Sequence, residues 1–229
     1  MGPNAVRNFV AEALGVFVLV FVGVMAIYNI GAEPLGLIGV ALAHGLAILV
    51  MVAALGHVSG AHFNPAITFG LLLGRHIDLP SAVLYWVAQL VGATLAALLV
   101  AGAIDTEAVV AGTPVLGEGV TVGIGILLEA VATFVLVFVV YGTAVDKQAP
   151  TSAYPFAIGL SITAGILAIG PLTGGALNPA RGFGPALVGG DWSAVLAWTI
   201  GPLLGGAAAW AVHQYVMETG KHRKDPVDA

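Results

Sequence analysis

Apolar residues run along this chain in long unbroken stretches, without the strict alternation of strands or the narrow stripe of a surface helix. Ala13 to Ala32, Pro34 to Gly74, Leu79 to Ile104, Gln148 to Ala180 and Trp192 to Met217 contain no Asp, Glu, Lys or Arg, and Val120 to Thr143 contains only Glu129. A spanning helix needs about 20 mostly apolar residues. The pattern predicts six, at about 6–29, 35–57, 80–103, 120–143, 153–171 and 194–217. Two runs, Pro34 to Gly74 and Gln148 to Ala180, are too long for one span and too short for two. The excess in each contains Asn-Pro-Ala, as Asn64-Pro65-Ala66 and Asn178-Pro179-Ala180.

Asparagine favours a helix N-cap and proline the first helical position. Each motif therefore predicts a helix start, and the glycines at 70, 74, 184 and 189 predict helices of about 10 residues. Such a helix rises about 15 Å, half the hydrocarbon thickness. Ser59-Gly60-Ala61 and Thr173-Gly174-Gly175 are the flexible approaches. Non-helical backbone at that depth survives only inside protein or beside a water-filled cavity.

The motifs belong to a repeat. Glu12-Ala-Leu-Gly-Val-Phe-Val-Leu-Val-Phe-Val matches the segment beginning at Glu129, 117 positions later. The first Asn-Pro-Ala segment matches the second at an offset of 114, and Ala82-Val-Leu-Tyr-Trp resembles Ala194-Val-Leu-Ala-Trp at 112. Three spans per copy, an odd number, invert the second copy in the membrane. Inverted repeats place a shared site near the midplane. The expected organisation is one all-α membrane domain over residues 1–229, with repeats at about 5–104 and 119–217 and a tail at 218–229. In this arrangement the two half-helix N-termini meet, each carrying about half a positive charge. Each capping asparagine keeps its carbonyl for the local backbone and turns amide N–H outward.

Six of the seven basic residues fall on the side that holds both termini, which makes that side cytoplasmic. The exception is Arg181, directly after the second motif. The outer loops hold Glu33, Asp105, Glu107, Glu118 and Asp191 instead.

Composition narrows the function. Charged residues make up 8% of the chain and hydrophobic ones 59%, against about 25% charged in soluble domains. With no cysteine, disulfides and thiol chemistry are excluded. The net charge of -5, without a basic cluster before the tail, gives no nucleic-acid surface. No nucleophile–base set, metal cluster or phosphate loop is present, so neither an enzyme nor a cofactor is expected.

Over about residues 5–217 the chain resembles the aquaporin (major intrinsic protein) family. The resemblance rests on Ser-Gly-Ala-His-Phe-Asn-Pro-Ala at 59–66, Gly-Gly-Ala-Leu-Asn-Pro-Ala-Arg-Gly-Phe-Gly-Pro-Ala at 174–186, and Glu12 and Glu129. It implies a homotetramer in the bilayer with one pore per subunit, passing water and small neutral solutes. It also implies a narrow filter of His44, Ile166, Gly175 and Arg181, and loop-bracing roles for Glu12 and Glu129; His62, just before the first motif, is expected to brace the loop or to line the inner pore. Strict water channels of the family carry Phe, His and Cys or Thr where His44, Ile166 and Gly175 stand. The set here looks like that of plant vacuolar-membrane (tonoplast) aquaporins, some of which pass ammonia, and predicts a wider aperture. A glycerol or metalloid facilitator of the same family is the alternative, though Gly182 stands where glycerol facilitators have Asp. An ion-coupled transporter would need more titratable groups facing the lumen than His44, Arg181 and the two glutamates. His57, His76 and His213 are expected as solvated residues near helix ends.

Overall fold

The computed structural model describes residues 4–30, 36–146, 148–150 and 152–217. Glu33, Lys147 and the tail at 218–229, with Lys221, Arg223 and Lys224, lie outside the described residues. Among the described residues all regular structure is helical: α1 (Ala5–Ile30), α2 (Gly36–Ser59), α3 (Pro65–Leu73), α4 (Leu79–Ala103), α5 (Thr106–Ala111), α6 (Val122–Val140), α7 (Tyr154–Thr173), α8 (Pro179–Gly189) and α9 (Val195–Val212). One π-helical turn each extends α6 and α9, at Tyr141–Val145 and His213–Met217.

Six of these helices are long and apolar enough to cross a membrane, and they coincide with the six predicted spans to within a few residues. The differences have local causes. Thr121 stays outside α6 because its hydroxyl caps the helix by accepting from Ile124 N–H. Helix α7 runs past Pro171 to Thr173 and stops at Gly174, which adopts φ 81°. The connection between the halves is not a plain loop. Asp105 caps α5 by accepting from Ala108 N–H at 2.7 Å, and Gly112 ends it. At the start of α4, Asp78 accepts from Ser81 N–H at 2.8 Å, and these Ser81 bonds hold its carboxyl below the usual range.

The half-helices α3 and α8 have 9 and 11 residues, so they reach about half-way through a bilayer of about 30 Å. Packing follows the repeat. Helix α1 lies against α2 and α4, and α6 lies against α7 and α9. Each half-helix packs on the last span of the other half, α8 on α4 and α3 on α9, and the two half-helices touch. This exchange locks the two inverted copies into one body.

Outward faces are apolar stripes at helical spacing, as in Leu42, Leu46 and Val50 on α2 and Leu127, Val131 and Val135 on α6. Hydrocarbon solvates such faces as well as a protein core does, so small residues and close approach must hold the helices together. A Cβ at Gly92 of α4 would overlap the backbone carbonyl of Ala13 in α1. At the α2–α7 crossing, a Cβ on Gly45 would overlap Thr163 Oγ1 and stand 2.6 Å from Gly159 O, while one on Gly159 would stand 2.6 Å from Gly45 O. Thr163 Oγ1 donates across this crossing to Ala41 O at 3.2 Å.

Overpacking a tight contact costs about 1–3 kcal/mol. Gly45→Leu should therefore lower the thermal midpoint in detergent, while Gly102→Ala, where nothing lies within 4 Å of the added Cβ, should leave it unchanged or slightly higher. Equal midpoints for the two variants would refute the close-packed crossing.

Candidate functional site

The chain leaves helical geometry at residues 60–64 and again at 174–178. Both segments lie between a span and a half-helix, at a depth where their backbone must be served by the protein or by a water-filled cavity. They are also strained. Gly60, Ala61 and Phe63 have φ of 87°, 51° and 48°, and Gly174, Gly175 and Leu177 have 81°, 55° and 52°. Non-glycine residues reach this region only when tertiary contacts impose it.

Two fully buried carboxyl groups supply those contacts. Glu12 accepts from Ser59 Oγ at 2.7 Å, His62 N–H at 3.0 Å, Phe63 N–H at 2.7 Å and Gln89 Nε2 at 2.8 Å. Glu129 accepts from Thr173 Oγ1 at 2.7 Å, Ala176 N–H at 2.8 Å and Leu177 N–H at 2.7 Å. Each hydroxyl in turn accepts one loop N–H, from Ala61 at 3.1 Å and from Gly175 at 3.2 Å. The pattern repeats bond for bond except at Gln89. Its repeat partner is Gly201, where a Cβ would stand 2.6 Å from Glu129 Cβ. Gln89 belongs to the site and was not singled out from sequence; the clue was a buried-type amide in a span, 77 positions from Glu12.

The asparagines join the loops to each other. Asn64 Oδ1 accepts from Ala66 N–H at 2.8 Å, and Asn178 Oδ1 from Ala180 N–H at 3.0 Å and Arg181 N–H at 3.3 Å. Asn64 Nδ2 donates to Leu177 O and Asn178 Nδ2 to Phe63 O, both at 2.8 Å. Sequence reasoning expected amide N–H turned outward and gave no partner for the second hydrogen of each amide. One N–H of each is committed across the junction, because the carbonyls of the strained Phe63 and Leu177 need buried partners, and one N–H of each remains. Pro65, Ala66, Pro179 and Ala180 form the first turns behind these caps.

A cavity of about 360 Å³ opens on one side of the junction, with Val40, Thr113, Pro114, Ile166, Gly170 and Arg181 in its wall. Gly175 lies beside Ile166: a Cβ on it would stand 3.2 Å from Ile166 Cγ1. Arg181 is 3% exposed, and its guanidinium donates to Gly112 O at 2.6 Å. Its Nε finds no protein partner. His44, the fourth residue expected here, is buried but is not among the residues lining this cavity. Its Nδ1 is 2.8 Å from Val40 O, and its ring packs so closely on Gly23 that a Cβ there would overlap Nε2. Sequence reasoning also missed the Gly112 carbonyl and the stretch behind it, which Gly117 N–H ties to Leu172 O at 2.9 Å.

A second cavity, about 300 Å³, lies beside the first loop and is lined by His62, Ile67, Leu71, His76, Val140 and Ile158. His62 Nδ1 is 3.1 Å from Thr68 Oγ1. The solvated role expected for His213 fails: it is 5% exposed and stacks on Tyr141 at 4.7 Å, and Tyr141 also makes an edge contact with His76 at 5.7 Å. No group of three or more His, Cys, Asp or Glu able to hold a metal occurs among the described residues.

Residues 2–213 match the Major intrinsic protein family. The chain belongs to that family. It is 41% identical to "Aquaporin TIP2-1" of Zea mays, over 96% of this chain and 91% of that protein. It is 42% identical to "Probable aquaporin TIP3-2" of Arabidopsis thaliana, over 94% and 85%. The X-ray structure of the aquaglyceroporin from Plasmodium falciparum superposes with a TM-score of 0.79 at 26% identity, covering 93% of this chain and 97% of that one. Family membership and the six apolar helices make this a multi-pass integral membrane protein of a channel family.

Leaving a buried donor unpaired costs about 1–3 kcal/mol. Glu12→Leu strips two loop N–H groups and two side-chain donors, whereas Glu129→Leu strips two N–H groups and one hydroxyl. Both variants should unfold at lower temperature than the parent in detergent, Glu12→Leu the lower of the two. Parent-like midpoints would show that the carboxyl groups do not hold the loops.

Proposed function

We propose that the chain forms a passive pore for water and other small neutral solutes, ammonia among them, and that it excludes ions and protons. The observation that carries this reading is the reciprocal asparagine junction, with a cavity beside each loop. Two helix N-termini and two spare amide N–H groups converge there. A lone-pair donor such as a water or ammonia molecule is held by such a site, while a cation meets the positive ends of both dipoles. Exclusion of protons and cations by half-helix dipoles and an arginine is the general account for aquaporin-type pores, applied here to Asn64, Asn178 and Arg181.

Solute size is governed by His44, Ile166, Gly175 and Arg181. Gly175 contributes no side chain, and Ile166 brings only hydrocarbon to the cavity that Arg181 also lines, so the aperture admits more than water. The names of the relatives, aquaporins in two plants, agree with water as a permeant. The subunit carries its own pore and assembles as a homotetramer. Six spans put both termini on one face, and the basic residues make that face cytoplasmic. The repeats are residues 5–104 and 119–217 of one domain.

The test is stopped-flow light scattering on proteoliposomes under an osmotic gradient, with ammonia uptake followed by an internal pH dye in the same preparation. Water flow and ammonia uptake above those of empty vesicles, with no added proton leak, are expected. Fast water flow with background ammonia uptake would overturn the wider aperture. Faster glycerol than water flow would favour the facilitator reading.

A further inference from the structure

Thr68 Oγ1 has one hydrogen and two lone pairs, and three polar atoms lie against it. Asn64 O, at 3.1 Å, is a carbonyl and can only accept, so the hydroxyl hydrogen goes there. Gln89 Nε2, at 3.1 Å, can only donate. The orientation of that amide is set independently, because the same nitrogen also donates to Glu12 Oε2 at 2.8 Å. The third atom, His62 Nδ1, at 3.1 Å, therefore meets an oxygen that has already used its hydrogen. It must be a donor. The ring is buried, which disfavours its charged form, and a neutral ring carries hydrogen on only one nitrogen, so Nε2 is bare.

We propose that Thr68 and Gln89 are positioning residues that fix His62 as its Nδ1–H tautomer, making Nε2 a hydrogen-bond acceptor station for the permeating molecule. The ring is held by Thr68 on one side and by the edge of Tyr85, with ring centroids 4.9 Å apart, on another. It lines the cavity beside the first loop. Nε2 has no hydrogen-bond partner among the described residues. The station takes a small neutral molecule with N–H or O–H to give, water and ammonia being the two that the proposed function names. It complements the junction. There the asparagine amides offer hydrogens to the permeant's lone pair, and here the ring offers a lone pair to the permeant's hydrogen. The second half has no such station. Leu177 occupies the position before Asn178, Ala176 the position matching His62, and Gly182 the position matching Thr68.

This inference rests on the pore reading only for the identity of the occupant; the tautomer rests on the hydrogen bonds and on the neutral, buried ring. Nitrogen and carbon solid-state NMR of histidine-labelled protein in bilayers reads tautomers directly, with the His62 signals assigned by their loss in His62→Gln. The parent should show His62 as Nδ1–H. Thr68→Val removes the hydroxyl with little change in shape and should lose the Nδ1–H signature, while Thr68→Ser should keep it. Gln89→Leu frees one lone pair of Thr68 and should broaden or shift the His62 Nδ1 resonance. An Nε2–H ring in the parent, or an Nδ1–H ring that persists in Thr68→Val, overturns the assignment. Osmotic water flow from the same samples separates the two claims. An Nδ1–H ring in vesicles without water flow supports the tautomer and defeats the pore. Water flow with an Nε2–H ring defeats the tautomer and leaves the pore standing.

Discussion

Backbone that leaves the helix inside a membrane has to find its hydrogen bonds in the protein or in a water-filled cavity, and in this chain two carboxyl groups meet that demand for the buried loop N–H groups. Glu12 and Glu129 stand on the first span of each half and receive the loop N–H groups that water would otherwise take. The loops cannot relax into helix without giving up the bonds from Phe63 N–H and Leu177 N–H to those carboxyls, which hold both residues at left-handed φ. Their carbonyls go to the asparagines of the opposite loop. Each loop is thus held by its own half and by the other, and neither half-helix can start in the right place alone.

The glycines make this possible at the level of packing. A Cβ at Gly15 would overlap the Phe63 ring, and one at Gly165 would stand 2.6 Å from Leu177 Cδ2. Room for the two strained residues is therefore cut into neighbouring spans. A Cβ on Gly206 of α9 would stand 2.6 Å from Ala66 O in the first turn of α3. Small residues in membrane helices are usually read as a way for spans to approach one another. Here several of them admit the re-entrant loops instead. The half-helix dipoles then point at one spot, and the chemistry of that spot is donor-rich on the asparagine side and acceptor-bearing at His62.

Much of this was legible in the residues because it is local or repeated. Asn-Pro is a helix start wherever it stands, so both half-helices could be placed to within a turn. The pairing of Glu12 with Glu129 showed in the offset between matched segments. What escaped depends on which distant segments meet. The Gly112 carbonyl that receives Arg181 lies in a stretch whose composition says only turn. The cap at Asp105 that begins α5 could have been found, since an acidic residue before Thr-Glu-Ala is an ordinary N-cap signal. The left-handed Ala61, Phe63 and Leu177 carry no mark in their side chains, since tertiary hydrogen bonds impose the conformation. His44 follows from the family resemblance, and a resemblance does not say that its ring settles against Gly23.

In the proposed function the asparagine junction is a continuous aqueous path. The measurement that bears on it most directly is the temperature dependence of osmotic water flow in proteoliposomes, compared with vesicles of the same lipid without protein. A path of water held by successive donors and acceptors predicts flow that rises only weakly with temperature, close to the behaviour of liquid water. A dependence as steep as that of the bare bilayer would mean that water crosses through lipid, and that the junction is closed.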